Sequence, residues 1–138
     1  MSQGYSGTPI PKKLGFKDST ILVVIEQPEG YESLVGPFPA GLEFANKLTK
    51  ETNFVHLFAT KKSLLTKHLK ALRSKLPDDA VVWVSWPKKT SKVETDITED
   101  IIRDVALPMG FVDIKVCAIN AVWSGLKLMV RKELRRKE

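Results

Sequence analysis

The chain has 138 residues, of which 43% are hydrophobic and 28% charged, and this composition is typical of a single globular domain rather than a disordered chain. Its longest uninterrupted apolar stretch, Ile21 to Ile25, is far shorter than the roughly 18 residues that a membrane helix needs. The start lacks the pattern of a secretory signal, so the sequence predicts a cytoplasmic protein. Cys117 is the only cysteine, which excludes an internal disulfide and a zinc site built from cysteines.

The net charge of +6 is concentrated in two basic segments. Residues 61–92 carry 9 basic and 2 acidic side chains, and residues 114–138 carry 7 and 2. An acidic segment, residues 93–113, lies between them with 1 basic and 6 acidic side chains. Such asymmetry can steer an anionic partner, although lysines on the outer face of a helix often serve only solubility.

The first half of the chain predicts an irregular arm and then short elements. Residues 1–11 form the arm, which is followed by a helical turn that Gly15 closes. The run Ile21 to Ile25 predicts a strand covered on both faces, as in parallel sheets. A short helix should precede the Gly36-Pro37 turn, and the segment from about Glu43 to Leu48 predicts a weaker strand or, equally, one turn of helix.

The second half predicts alternating strands and helices. Two buried strands are expected at 54–59 and 81–86, joined by a helix whose leucines recur at helical spacing, with Thr60 as its N-terminal cap. Asp96 and Glu99 indicate a capping box that opens a further helix. Two strands that form a hairpin complete the chain, from Val112 to Ile119 and then to about Val130.

This order of elements predicts an α/β fold. Right-handed crossovers should give an open, mostly parallel sheet of about six strands with helices on both faces and a C-terminal antiparallel hairpin. The arrangement resembles the methyltransferase variant of the Rossmann fold, and the resemblance implies the same scaffold here. We expect one domain over residues 12–132, followed by a basic tail over residues 133–138.

A narrower resemblance rests on short blocks of sequence. The chain contains Tyr5-Ser6-Gly7-Thr8-Pro9, Trp86-Pro87-Lys88-Lys89, Thr95-Asp96-Ile97-Thr98-Glu99-Asp100 and Trp123-Ser124-Gly125-Leu126-Lys127. These blocks resemble those of a small bacterial family of unknown function. That resemblance implies no activity, cofactor or catalytic residue.

The glycine-rich turn of a methyltransferase is missing. Adenosylmethionine is held by such a turn after the first strand and by an acidic residue after the second. Here the first turn is Glu26-Gln27-Pro28-Glu29-Gly30-Tyr31, in which only Gly30 can serve and Pro28 stiffens the backbone. Glu43 precedes the second strand rather than ending it. The sequence therefore predicts a methyltransferase-like scaffold without a cofactor.

No catalytic or metal-binding constellation stands out. A nucleophile elbow and a phosphate loop are both absent from the sequence. His56 lies in an apolar strand and is best interpreted as a hydrogen-bonded core residue, and His68 as a surface or boundary residue. Cys117 is best interpreted as a small buried residue. No metal site is predicted.

The carboxyl ends of the strands are the predicted ligand site, because ligands bind there in open parallel sheets. A crevice of lysines should attract phosphate or carboxylate, helped by free N–H groups of the helix after Thr60, and a tryptophan should offer a stacking face. The alternative is that the tryptophans close the core and the lysines are merely hydrated. The candidate residues are Glu26, Lys61, Trp86, Lys88, Lys89, Asn120 and Trp123.

Three functions remain open on sequence alone. The favoured one is a noncatalytic binding or regulatory module with a basic crevice for an anionic ligand or partner. The second is a methyltransferase-related enzyme with an atypical cofactor loop. The third is a nucleic-acid-binding protein that uses residues 61–92 and the basic tail. The expected partner is an anionic small molecule or a nucleic acid and not a membrane, and the sequence leaves a homo-oligomer open.

Overall fold

One six-stranded sheet organises the chain in a computed structural model, which describes residues 8–136. The strands are β1 Ile21–Ile25, β2 Glu43–Phe44, β3 Phe54–Phe58, β4 Val81–Pro87, β5 Phe111–Ala118 and β6 Trp123–Val130. The helices are α1 Ile10–Leu14, α2 Tyr31–Val35, α3 Lys62–Lys75 and α4 Glu99–Ala106. Short 3₁₀ turns occupy Lys89–Ser91, Leu107–Met109 and Lys132–Leu134.

The sheet is mixed, with the order β2-β1-β3-β4-β6-β5. The four strands β1 to β4 are parallel to one another, whereas β6 is antiparallel to both β4 and β5. The last strand is thus inserted between β4 and β5. This topology confirms the predicted mostly parallel sheet with a C-terminal antiparallel hairpin.

Apolar residues cover both faces of the sheet. All five residues of β3, in the middle of the sheet, are buried, as its continuous apolar run predicts. On one face the leucine stripe of α3 and the apolar side of α4 pack against the sheet. On the other face α1 and α2 pack with a cluster of aromatic rings. Helices therefore lie on both faces, as the order of elements predicts.

β2 is much shorter than the sequence predicts. It contains only Glu43 and Phe44, and its last backbone bond to β1 runs from Ala45 N–H to Leu22 O. Phe44 is 55% exposed at this outer edge. The segment leaves the sheet before Leu48, although Ala45 and Leu48 still pack against the core.

The ends of the described chain pack against the domain. α1 begins at Ile10 and is closed by Gly15, whose φ of 92° is the left-handed conformation predicted for it. The rest of the predicted arm, residues 1–7, lies outside the described residues. At the other end, Arg136 donates its backbone N–H and its guanidinium to Asp78. Within residues 8–136, no helix is long and apolar enough to cross a membrane.

Candidate functional site

The predicted site residues lie where the parallel strands end. β1, β3 and β4 end at Ile25, Phe58 and Pro87, and because these strands are parallel their ends share one edge of the sheet. β6 is antiparallel to β4 and begins at the same edge, where Trp123 pairs with Pro87. Ligands of open α/β sheets bind outside this edge.

The turn after β1 begins with a strained residue. Glu26 has a φ of 58°, in the left-handed region that costs a residue with a side chain about 1–2 kcal/mol. Its Oε2 lies 3.4 Å from Nε2 of His68 on α3. The contact ties α3 to the end of β1, and it places His68 at the protein boundary, as the sequence predicts.

The cavity between β1 and β3, at their carboxyl ends, is smaller than most small-molecule sites. Its volume is about 180 Å³, whereas sites for small molecules usually have about 300–1,000 Å³. Trp123 stands edge-on against Phe58, with ring centroids 5.0 Å apart, and fills one side of it. The lining residues are Glu26, Phe58, Ala59, Thr60, Leu64 and Trp123.

The segment after β2 also lacks the acidic residue that would bind a ribose. Ala45, Asn46 and Lys47 follow this strand, while Glu43 lies at its other end, paired with Ile21. The residues around both strand ends therefore do not fit adenosylmethionine.

Lys61 lines a second cavity, of about 420 Å³, in which acidic residues predominate. Its other lining residues are Thr60, Glu94, Thr95 and Asp96. One lysine faces two carboxylates there, so this cavity does not have the basic character that the sequence predicts around Lys61.

The N-terminus of α3 is already bound to a carboxylate of the chain. Asp96 Oδ1 accepts a hydrogen bond of 2.7 Å from Lys62 N–H. Thr60 is therefore not the cap that the sequence predicts, and Lys61 occupies the N-cap position without a side-chain hydrogen bond. Instead, Thr60 O accepts a bond from Thr95 Oγ1, which fixes the loop that brings Asp96 into place. The expected anion site at this helix end is taken by Asp96.

The predicted capping box of α4 is also wrong. Thr98 is the N-cap, and its Oγ1 accepts a hydrogen bond of 3.2 Å from Ile101 N–H. Glu99 is the first helical residue rather than the third, because Asp96 is drawn away to α3. Glu99 instead pairs with Arg103 one turn along α4.

A third cavity, which we call the β4 cavity, lies beyond the end of β4 and has a volume of about 510 Å³. Trp86, which is only 7% exposed, forms part of its wall, so the indole does not offer an open stacking face. Lys88 is half-buried and Lys89 is exposed. The complete lining is Trp86, Pro87, Lys88, Lys89, Thr90, Thr95, Ile97, Thr98, Glu99 and Ser124.

Asn120 has a role in the hairpin turn. Its Oδ1 accepts hydrogen bonds of 2.8 Å from the N–H groups of Val122 and Trp123. Asn120 lines none of the three cavities at this edge. The predicted residues thus share an edge but separate into neighbouring spaces: Glu26 with Trp123, Lys61 with acidic residues, and Trp86 with Lys88 and Lys89.

Several residues of the β4 cavity were missed by sequence reasoning. Thr95, Ile97 and Thr98 precede or begin α4, and they reach the cavity because the loop after β4 folds back toward Thr60. Ser124 comes from β6, next to Trp86 in register. The only sequence signal was the predicted hairpin, which brings the start of β6 to this edge.

His56 is a hydrogen-bonded core residue, as predicted. It is completely buried, with Tyr31 Oη 2.8 Å from Nδ1 and Ser85 Oγ 2.7 Å from Nε2. Burial lowers the pKa of His56 from 6.5 to about 3, and burial also raises the pKa of Tyr31 above its ordinary value. The group has no access to a ligand and holds α2, β3 and β4 together.

Two further possibilities for chemistry are a reactive cysteine and a metal site. Cys117 is half-buried rather than fully buried, because β5 is an edge strand, and desolvation raises the pKa of its thiol. Within residues 8–136, no three histidine, cysteine or acidic side chains come together as a metal site.

Comparison with known proteins finds similarity in structure alone. No family model and no curated protein matches the chain. The B. subtilis M1A22 tRNA methyltransferase TrmK superposes with a TM-score of 0.59 at 11% identity, over 88% of this chain and 62% of TrmK. A SAM-dependent methyltransferase from Aquifex aeolicus superposes with a TM-score of 0.57 at 16% identity, over 87% of each chain.

A third similar structure is Aeropyrum pernix fibrillarin with natively bound S-adenosyl-L-methionine, with a TM-score of 0.54 at 10% identity, over 91% of this chain and 70% of fibrillarin. The fold is that of the Rossmann-like methyltransferases. At these identities the likeness shows the fold alone. The chain spans less than two thirds of the length of TrmK. Membership of the bacterial family of unknown function stays a prediction, because no family model matches.

Proposed function

We propose that this chain is a noncatalytic binding module that uses a methyltransferase-type sheet to hold a small anionic ligand in the β4 cavity. Lys88 and Lys89 bind the anion, while Trp86, Pro87 and Ile97 contact the apolar part of the ligand. The hydroxyls of the threonines and of Ser124 along the lining orient it.

The observation that carries this proposal is the difference in volume between two cavities at the same edge. The β4 cavity has about 510 Å³, within the range of small-molecule sites, and the cavity between β1 and β3 has about 180 Å³. The space suited to a ligand therefore lies beside β4 rather than at the degraded cofactor turn.

The electrostatics of the β4 cavity favour an anion. Glu99 is its only acidic lining residue, and its carboxylate is paired with Arg103. Arg103 also binds Asp113, with 2.8 Å between Nε and Oδ2, and its contacts with both carboxylates raise the pKa of the guanidinium. Because the charge of Glu99 is balanced in this way, Lys88 and Lys89 dominate the field inside the cavity.

A methyltransferase-related enzyme is the second candidate, and the fold favours it. Three structures with this fold are methyltransferases or bind adenosylmethionine, according to their names. In this chain the cofactor would need the cavity lined by Glu26 and Trp123 to expand by more than half of its present volume.

Calorimetry with two adenosine ligands separates these functions. Adenosine monophosphate and adenosylmethionine share the nucleoside, but only the former carries a phosphate. We expect adenosine monophosphate to bind and adenosylmethionine to give no heat at millimolar concentration. Submillimolar binding of adenosylmethionine would favour the enzyme. Native mass spectrometry of the purified protein adds a direct search for a retained ligand.

Charge-reversal variants test whether the anionic ligand binds in the β4 cavity. The double variant Lys88→Glu, Lys89→Glu should lose affinity at least about tenfold, since a charge-assisted contact contributes about 1.5–3 kcal/mol. Lys12→Glu, Lys17→Glu changes the net charge equally at exposed positions on the face of the sheet opposite α3 and serves as the control. Unchanged affinity in the first variant, or equal loss in both, would disprove the assignment to the β4 cavity.

A further inference from the structure

A fourth cavity lies at the opposite edge of the sheet, near the end of α3, and its charged residues are all basic. It has a volume of about 360 Å³ and is lined by Lys50, Ser74, Lys75, Leu76, Pro77 and Arg136. Each of the three cavities at the carboxyl edge includes at least one acidic residue. We call this fourth space the basic cavity.

The basic cavity is formed where the two basic segments of the sequence meet. Lys75 ends α3, and Arg136 belongs to the C-terminal segment, which returns to the same place. Backbone bonds hold that segment along the sheet: Arg131 N–H donates to Gly110 O at 2.9 Å. Arg135 Nε donates to Val130 O at 3.0 Å. The fold therefore brings some of the basic side chains of residues 61–92 and 114–138 together at one surface.

Asp78 fixes the position of Arg136 beside the cavity. Its carboxylate accepts from Arg136 at 2.8 Å and lies 3.4 Å from Arg73, so two guanidinium groups share one negative charge. The side chain of Asp78 is 6% exposed, whereas that of Arg136 remains 60% exposed. The bond orients Arg136 and leaves most of its surface facing solvent. Glu51 and Asp79 adjoin the site in sequence, but neither lines the cavity.

A basic track leads from the cavity along α3. Lys67, Lys70 and Ser74 are exposed and follow the spacing of one helix face. With a rise of 1.5 Å per residue, this face extends about 10 Å from Ser74, which also lines the cavity. The track is longer than a single phosphate group and contains no aromatic ring on which a base could stack.

We infer that the basic cavity and its track bind the phosphodiester backbone of a nucleic acid. A row of cations without a stacking platform suits contacts to phosphates, which hold a nucleic acid without reading its bases. Binding there is independent of sequence and strongly dependent on salt. This site does not depend on the ligand proposed for the β4 cavity.

Fluorescence anisotropy with a labelled single-stranded RNA of roughly 12 nucleotides tests this inference. Four contacts, from Lys50, Lys67, Lys70 and Lys75, predict that affinity falls roughly 50-fold between 50 and 200 mM salt. The variant Lys50→Gln, Lys75→Gln removes two of them without touching Asp78. We expect about fivefold weaker binding at 50 mM salt, and a decrease of only roughly sevenfold between the two salt concentrations.

The control is Lys12→Gln, Lys17→Gln, which removes the same charge from exposed positions on the face of the sheet opposite α3 and should stay within about twofold of the parent protein. Circular dichroism establishes that both variants are folded. Equal weakening in the two variants would show attraction by net charge alone and overturn the site. Three other results would also overturn the proposed site. The first is no RNA binding at 50 mM salt, and the second is unchanged affinity in the variant Lys50→Gln, Lys75→Gln. The third is tighter binding of inorganic tripolyphosphate than of RNA.

Discussion

Asp96 caps a helix that begins 34 residues before it in the chain: its Oδ1 accepts the backbone N–H of Lys62 at 2.7 Å. The bond joins the loop before α4 to the start of α3. It also places a negative charge at the positive end of the α3 dipole, where a free anion would otherwise be attracted.

Removal of this cap should destabilise the protein moderately. We expect Asp96→Ala to lower the free energy of unfolding by about 1 kcal/mol, because Lys62 N–H loses its acceptor. Asp96→Asn keeps an accepting oxygen and should lose less than half of that. Urea denaturation measures the difference, with Asp104→Ala on the exposed side of α4 as the control. An equal loss in Asp104→Ala would contradict the capping role.

The buried His56 makes stability depend on pH. The unfolded chain binds a proton near pH 6.5, but the folded chain does not until about pH 3, so acid favours unfolding between these values. The free energy of unfolding should fall by about 1.4 kcal/mol for each pH unit below 6.5.

Urea denaturation between pH 7 and 4.5 tests this dependence on pH. His56→Gln should lose most of the slope, although its overall stability will be lower. His68→Gln should keep the slope, since His68 lies at the boundary of the protein. If the pH dependence of the free energy of unfolding disappeared in His68→Gln instead, His68 rather than His56 would be its cause.

A pair of like charges lies across the hairpin. Lys115 on β5 faces Lys127 on β6, and desolvation, followed by the charges of Lys115 and Lys17, lowers the pKa of Lys127. Like charges in this position are destabilising. We expect Lys115→Glu to raise the free energy of unfolding by about 0.5 kcal/mol at low salt.

High salt should remove most of this gain, because it screens exposed charges. Lys47→Glu changes the net charge equally in an exposed loop and serves as the control. If Lys115→Glu destabilises the hairpin, or if Lys47→Glu gives the same gain, the cross-strand repulsion is not the cause.

Asp78 should hold the C-terminal segment in place. Its contacts with Arg136, by side-chain hydrogen bond first, lower its pKa to about 2. Asp78→Asn removes the charge that both arginines share, so residues 131–136 should detach more often. Trypsin should then cleave after Arg131 and Lys132 faster than in the parent protein. The neighbouring exposed variant Asp79→Asn should leave the rate unchanged; acceleration in both variants would refute the role of Asp78.

Most of the fold is predictable because its elements are locally encoded. The apolar runs at 21–25 and 54–58 and the leucines of α3 identify their elements without reference to the rest of the chain. β2 is the exception. Ala45 and Leu48 still pack against the core after the strand has ended, so the local apolar pattern does not reveal where pairing with β1 stops.

The wrong helix caps and the separation of the predicted site residues into several cavities have a common physical cause. The segment Thr95 to Thr98 offers three residues that can cap a helix, and the choice among them depends on the distance to α3. Sequence reasoning placed Glu26, Lys61 and Lys88 at the correct edge because strand direction fixes that edge. It did not predict their separation, since Thr60 and Thr95 come from different elements and meet only in the folded chain.

The position of β6 has a consequence for how the protein is assembled during synthesis. β5 has β6 as its one neighbour in the sheet, and β6 follows it in the chain while lying between it and β4. When β5 leaves the ribosome, the edge of β4 is free, and pairing there would be parallel and out of place. The native sheet requires β4 to stay open until residues up to Val130 have emerged, so a delay in translation after Ala118 prolongs the interval in which the wrong pairing competes.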